Sequence, residues 1–159
     1  YHVFSSSDLV NWTDHGMIVS QESAGWVDTA SYSMWAPDCI EKNGKYHFYF
    51  PAKMKNSGPR SGFSIGVALS DSPEGPFLPE PAPIPNVAGI DPNVFIDDDG
   101  QAYYVWGQFT AKMAMLKPDM TVLDKTTIRD SVVTQEARVS PRSSSIAAWA
   151  LGRISTKET

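Results

Sequence analysis

The 159-residue sequence predicts an all-β chain assembled from repeated hairpins. Two segments carry that expectation, "DCIEKNGKYHFYF" (38–50) and "NVFIDDDGQAYYVWG" (93–107). Each sets β-rich runs on both sides of an Asn-Gly or Asp-Gly dipeptide, whose positive φ angles suit a tight type I′ turn. Each is followed by a further strand-like run, "FSIGVALS" (63–70) and "AKMAMLK" (111–117), and residues 1–130 show no helical periodicity.

Taken in chain order, the opening "YHVFSSSDLVNW" reads as the strand-then-turn end of an earlier unit. The two later runs end in comparable turns, "SDSPEGPF" (70–77) and "KPDMTVL" (117–123). The turn aspartates Asp8, Asp71 and Asp119 are spaced by 63 and 48 residues. Several strands per unit at that period is the pattern of propeller blades, here about two to three of them. The proline-rich "SPEGPFLPEPAPIP" (72–85) reads as an extended connection between blades. Residues 1–136 therefore form the propeller-type domain. From 137 to 159 the pattern stops: "ARVSPRSSSIAAWALGRISTKET" has no hairpin turn and no alternating aromatic strand. It reads as an irregular tail foreign to the fold, in which "SIAAWALG" could form a short helix.

Composition narrows the function. Hydrophobic residues at 42% and charged residues at 19% are a globular balance. A net charge of −5 argues against a phosphate-binding surface and so against a nucleic-acid partner. No apolar run approaches the roughly 20 residues that cross a bilayer as a helix. The single Cys39 excludes an internal disulfide framework and a multi-cysteine zinc site. Asn11-Trp12-Thr13 is formally an N-glycosylation sequon. The chain opens inside a strand without Met, which suggests a fragment.

In sequence order, "SSSDLVNWTDHG" (5–16), "WAPDCIEKNGKYHFYF" (35–50), "GVALSDSPEGPF" (66–77), "GIDPNVFIDDDGQAYYVWG" (89–107) and "KMAMLKPDMTVLD" (112–124) resemble glycoside hydrolase family 43. The resemblance implies part of a five-bladed β-propeller that hydrolyses arabinose- or xylose-containing plant polysaccharides with inversion, in the whole protein placed outside the cell or in the periplasm. It implies no cofactor and no catalytic metal. Such enzymes use three carboxylates, and the aspartate of the "IDP" motif, which tunes the acid's pKa and orients the sugar, corresponds to Asp91. The general acid corresponds to Glu136 in "VVTQEA", and the general base would precede Tyr1, so the piece alone is expected to be inactive. Trp35 is the candidate sugar platform. The alternative is a non-catalytic carbohydrate-binding or structural propeller.

The requirement for several carboxylates is chemical. One protonates the leaving oxygen while another activates water from the opposite face. A neighbouring negative charge keeps the acid protonated.

Each candidate also has a plainer reading. Asp91 could cap a turn before Pro92, although the motif run favours the functional role. Asp97, Asp98 and Asp99 lack the alternation of a calcium loop and read as a solvated hairpin tip at Asp99-Gly100. Asp38 reads as a brace where its strand begins. Trp35 could equally be core packing. His2, His15 and His47 show no ligand spacing and read as surface or satisfied structural residues, while Tyr46, Phe48, Tyr103 and Tyr104 read as packing between blades.

Overall fold

The computed structural model describes residues 1–58, 61–107 and 110–130. Ten strands and one 3-10 turn at Lys125–Thr127 make up the regular structure of those residues, so the all-β expectation holds. β1 (His2–Ser5) and β2 (Thr13–Met17) form a two-stranded ribbon. β3 (Asp38–Lys42), β4 (Lys45–Lys53), β5 (Phe63–Ser70) and β6 (Leu78–Pro79) form one four-stranded antiparallel meander. β7 (Asn93–Ile96), β8 (Ala102–Trp106), β9 (Lys112–Met115) and β10 (Arg129–Asp130) form the other. Each meander is one blade, and the ribbon supplies two strands of a third. The first strands, β3 and β7, contact each other across the blades, which marks them as the inner strands.

Local chemistry explains the turns, with two departures from the sequence reading. Asn43 and Gly44 both adopt positive φ (55° and 76°), as a type I′ turn requires. The second hairpin is not built that way. Gly100 alone has positive φ, 83°, and its amide donates to the Asp97 carbonyl at 2.8 Å. The aspartate triplet thus forms a type I turn closed by a glycine bulge, one residue longer than the tight turn expected at Asp99-Gly100. The proline-rich stretch also does more than connect, because Leu78–Pro79 is the outermost strand β6. Proline is tolerated there, where one edge needs no ladder donor.

The repeat-ending turns agree at two sites of three. Asp8 accepts the amides of Val10 (2.9 Å) and Asn11 (2.7 Å), and Leu9 has φ 61°. Asp119 accepts the Thr121 amide at 3.0 Å, and Met120 has φ 61°. Asp71 instead pairs with Lys45 at 2.6 Å, and Ser70 caps its turn.

β4 is buried on both faces, which is why "YHFYFPA" is a nearly continuous apolar run rather than an alternating one. Phe48, Phe50 and Ala52 pack toward Val19, Val27, Met34 and Phe77. Tyr49 points the other way, into the core shared with the second blade, beside Val94, Tyr104, Trp106 and Leu116. Phe48 and Tyr104 are core residues as expected, and Tyr46 packs against the edge of the first cluster. Tyr103 instead stacks on the exposed Phe95 at 5.1 Å, on the far face of the second blade.

His2 and His15 are surface-side residues bonded to Asp14 and Ser5. His47 departs from expectation: it is 5% exposed, yet its Nδ1 finds no partner among the described residues. Burial lowers its pKa, which keeps the ring neutral. Glu136 and the proposed tail from 137 onward lie outside the described residues, as does the domain boundary at 136.

Candidate active site

The meander topology sorts the loops to two ends. The hairpin tips 43–44 and 97–100 and the aspartate turns after β5 and β9 share one end, where Lys42 Nζ reaches the Gly100 carbonyl at 2.8 Å. The other end collects the approaches to β3, β5, β7 and β9, and there Trp35 and Asp91 both sit.

The approaches to the two inner strands repeat one device. Ala36 (φ 47°) precedes Pro37 and β3, and Asp91 (φ 58°) precedes Pro92 and β7. A left-handed residue there turns the chain sharply into the strand. For a non-glycine residue that conformation costs about 1–2 kcal/mol, with aspartate among the more tolerant types. The strain persists because the flanks are pinned. Upstream, the Gly89 amide donates to the Phe63 carbonyl (3.0 Å), and the Ile90 carbonyl accepts from the Gly107 amide (2.9 Å). Gly89 itself has φ 133° and lies against Trp106, so a side chain there would be strained.

Downstream, Asp38 is the anchor. Its Oδ2 accepts the Val94 amide at 2.6 Å and the Asn93 side-chain amide at 3.4 Å, while Oδ1 accepts the Cys39 amide at 2.9 Å. Asp38 is only 6% exposed, and burial raises its pKa against the lowering pull of those amides. It ties the inner strand of one blade to that of the next, so the bracing role read from the sequence is what the geometry shows.

Asp91 behaves differently from the repeat-ending turn aspartates Asp8, Asp71 and Asp119, whose carboxylates are each bonded. Asp97 accepts the Asp98 amide and Asp99 the Gln101 amide, both at 2.8 Å, so two members of the triplet are consumed by their own hairpin tip. No hydrogen bond from the described residues reaches the Asp91 carboxylate, and burial raises its pKa. It caps no turn. A strained, half-buried carboxylate without a structural partner is the kind of group that active sites hold.

Trp35 belongs to neither core cluster and is 38% exposed. Its ring packs on Phe63 (centroids 5.6 Å) and Tyr32 (6.4 Å). Phe63 links the two candidates, because its ring touches Trp35 and its carbonyl holds Gly89, two residues before Asp91. The sequence reading missed Phe63 and Tyr32. Only the spacing of Tyr32, three residues before Trp35, hinted at the latter. A groove of ≈ 290 Å³ lies elsewhere: it runs along β1, between the ribbon and the first blade, lined by Phe4, Trp12, Phe48 and Phe77. No cluster of three or more His, Cys, Asp or Glu able to hold a metal occurs among the described residues.

The sequence profile of Glycosyl hydrolases family 43 matches residues 1–145. The chain belongs to that family. Among curated relatives of this family 43 chain, a xylosidase/arabinosidase 43A of Humicola insolens is 50% identical over 110 residues, covering 67% of this chain and 32% of the relative. An arabinoxylan arabinofuranohydrolase of Bacillus subtilis is 35% identical over 152 residues, covering 75% and 28%. Among solved structures, a family 43 enzyme of Xanthomonas citri complexed with xylose superposes with a TM-score of 0.71 at 31% identity, over 82% of this chain and 45% of that one. The family 43 chain thus spans about a third of these relatives and under half of that structure, and its two blades and part-blade are a portion of the β-propeller.

Proposed function

We propose that this chain is part of an inverting glycoside hydrolase acting on arabinose- or xylose-containing plant polysaccharide. The observation that carries the reading is the Asp91 carboxylate, held in left-handed backbone on pinned flanks and not used by its own turn. In this reading Asp91 raises the pKa of the general acid by its negative charge and orients the sugar, while Trp35 supplies an apolar platform for the ring. Glu136, which lies outside the described residues, is the proposed general acid, the group that protonates the leaving oxygen. The xylosidase/arabinosidase and arabinofuranohydrolase names of the relatives support the substrate class. The choice among arabinan, arabinoxylan and xylo-oligosaccharide belongs to the same proposal, as does carbohydrate as the protein's partner.

Carboxyl-carbon NMR titration of the 159-residue chain tests the assignment. Asp91 is expected to titrate above the ordinary aspartate range because it is desolvated, and Asp8 below it because the Asn11 amide and its neighbours stabilise its charge. Xylose or arabinose should move the Asp91 midpoint and leave that of Asp8 unchanged. An Asp91 midpoint at or below the ordinary range, indifferent to both sugars, would remove the basis of the proposal.

A further inference from the structure

Ser5 in β1, His15 in β2 and Glu74 in the turn after β5 come together from three segments that the functional reading above does not use. Thr13 stands opposite Ser5 in the ribbon, so His15, two residues on, is a diagonal neighbour on the same face. Ser5 Oγ and His15 Nε2 are 2.7 Å apart, and Glu74 Oε2 lies 3.7 Å from the other ring nitrogen, Nδ1. The backbone around these groups is held. Ser6 Oγ accepts the amides of Asp8 (3.2 Å) and Leu9 (2.8 Å), which fixes the turn that follows Ser5. Ser72 holds the other turn, accepting the Glu74 amide on its Oγ (3.3 Å) and the Gly75 amide on its carbonyl (3.1 Å). The Ser6 amide itself finds no acceptor among the described residues. All three side chains line the groove along β1, whose apolar lining includes Ile18 and the paired rings of Phe48 and Phe77 (centroids 5.6 Å).

We propose that this cluster is a second hydrolytic site, one that cleaves esters of aromatic carboxylic acids through a serine nucleophile. A serine hydroxyl is a weak nucleophile until a base takes its proton, and an imidazole within hydrogen-bond reach is such a base. The Ser–His–carboxylate constellation recurs on unrelated folds and is recognised by geometry and roles, not by chain order. Ser5 Oγ attacks the ester carbonyl carbon while its proton passes to His15 Nε2, and the carbonyl electron pair moves onto oxygen. The Ser6 amide, directly after the nucleophile, donates to that oxyanion. Collapse breaks the ester C–O bond, and the alcohol leaves with the proton from His15. Water then adds to the acyl-serine carbonyl and gives its proton to His15. The acid departs as Ser5 Oγ recovers that proton. Glu74 is a positioning residue: it orients the ring and faces the imidazolium charge, across a separation that commonly tightens once substrate is bound. The lining of the groove selects the acyl group, because a flat ring buries area against Phe48 and Phe77. Neither Asp91 nor Trp35 takes part, so the proposal stands or falls independently of theirs.

Ser5 is exposed and His15 and Glu74 are partly so, and replacing them leaves the core intact. The 159-residue chain is assayed on 4-nitrophenyl benzoate and 4-nitrophenyl acetate. Separately it is treated with phenylmethanesulfonyl fluoride, and the modified serine is located by peptide mass spectrometry. The expected result is turnover above buffer, a higher kcat/KM for the benzoate than for the acetate, and sulfonylation at Ser5. Ser5→Ala should abolish both turnover and label. His15→Ala should lower kcat by about 10²-fold or more. Glu74→Gln should lower kcat and leave KM unchanged, with Glu74→Asp recovering part of the rate. Turnover that survives Ser5→Ala would overturn the proposal, as would wild-type chain that neither hydrolyses the benzoate nor takes the label at Ser5.

Discussion

Asp38 and Asp91 precede or open adjacent inner strands, each beside a proline, and nothing in their immediate neighbours separates their roles. The difference lies in what the fold brings opposite them. Asp38 meets the Val94 and Asn93 amides from the next blade, a contact 55–56 residues away in sequence. Asp91 meets no such partner among the described residues, and that left its carboxylate available. The motif order made Asp91 legible as a site residue, whereas the aspartate triplet was legible from turn chemistry alone. Phe63 and Tyr32 were not legible, because their meaning comes from packing on the Trp35 ring, which the fold brings against the start of β5. The role of Asp38 yields a stability prediction. Asp38→Ala strands the Val94 amide in the interior and should lower unfolding free energy by about 2 kcal/mol, read by urea denaturation. Burial raises the folded-state pKa of Asp38. Its protonated form therefore adds stability below the ordinary aspartate range, and that contribution is lost as pH rises through the raised value. The corresponding pH slope should shrink in Asp38→Asn.

At the scale of elements, hairpin positions were legible because glycine and its neighbour punctuate the alternating strands. Turn type was legible only at Asn43-Gly44. The loop at 97–101 hides its extra residue, since Asp97 also pairs with Gln101 before the strands begin, and sequence alone does not show which aspartate ends the ladder. β6 was hidden by its own proline, which usually argues against a strand and is accommodated only at an edge. Packing between elements sets the clearest test. At Gly66 in β5 an added Cβ would lie 2.6 Å from Phe50 Cζ and 2.7 Å from Trp26 Cζ2. Gly66 is thus a seat for the stacked Trp26–Phe50 pair (5.9 Å). Gly66→Ala should cost about 1–3 kcal/mol by overpacking. Gly44→Ala meets nothing within 4 Å and suffers only the φ of 76°, about 1–2 kcal/mol. Paired urea midpoints, with near-ultraviolet circular dichroism reporting the Trp26 environment, separate the two causes: only Gly66→Ala should alter the aromatic signal.

For the whole molecule, the repeat pattern conveyed blades, and the structure adds how they are locked together at their inner strands and which end carries the candidate site. The described residues also leave apolar groups open on both flanks, Phe4, Leu9, Val10, Trp12 and Met17 on the ribbon and Phe95 on the far blade. Such faces and the unpaired edge of β1 call for neighbouring strands. Inversion needs two carboxylates on opposite sides of a sugar, and Asp91 is a carboxylate without a structural partner that the described residues place at the site end. The central claim is that these blades are a working portion of a family 43 propeller in which Asp91 takes part in the reaction. It is tested most directly by placing residues 1–130 within the matching segment of the Humicola insolens relative and measuring kcat on aryl β-xyloside and aryl α-arabinofuranoside, with Asp91 and with Asp91→Asn. The chimera with Asp91 is predicted to turn over substrate, and Asp91→Asn to lose about 10²-fold or more in kcat while keeping the same circular dichroism spectrum. A folded Asp91→Asn chimera that retains the full rate would contradict the account.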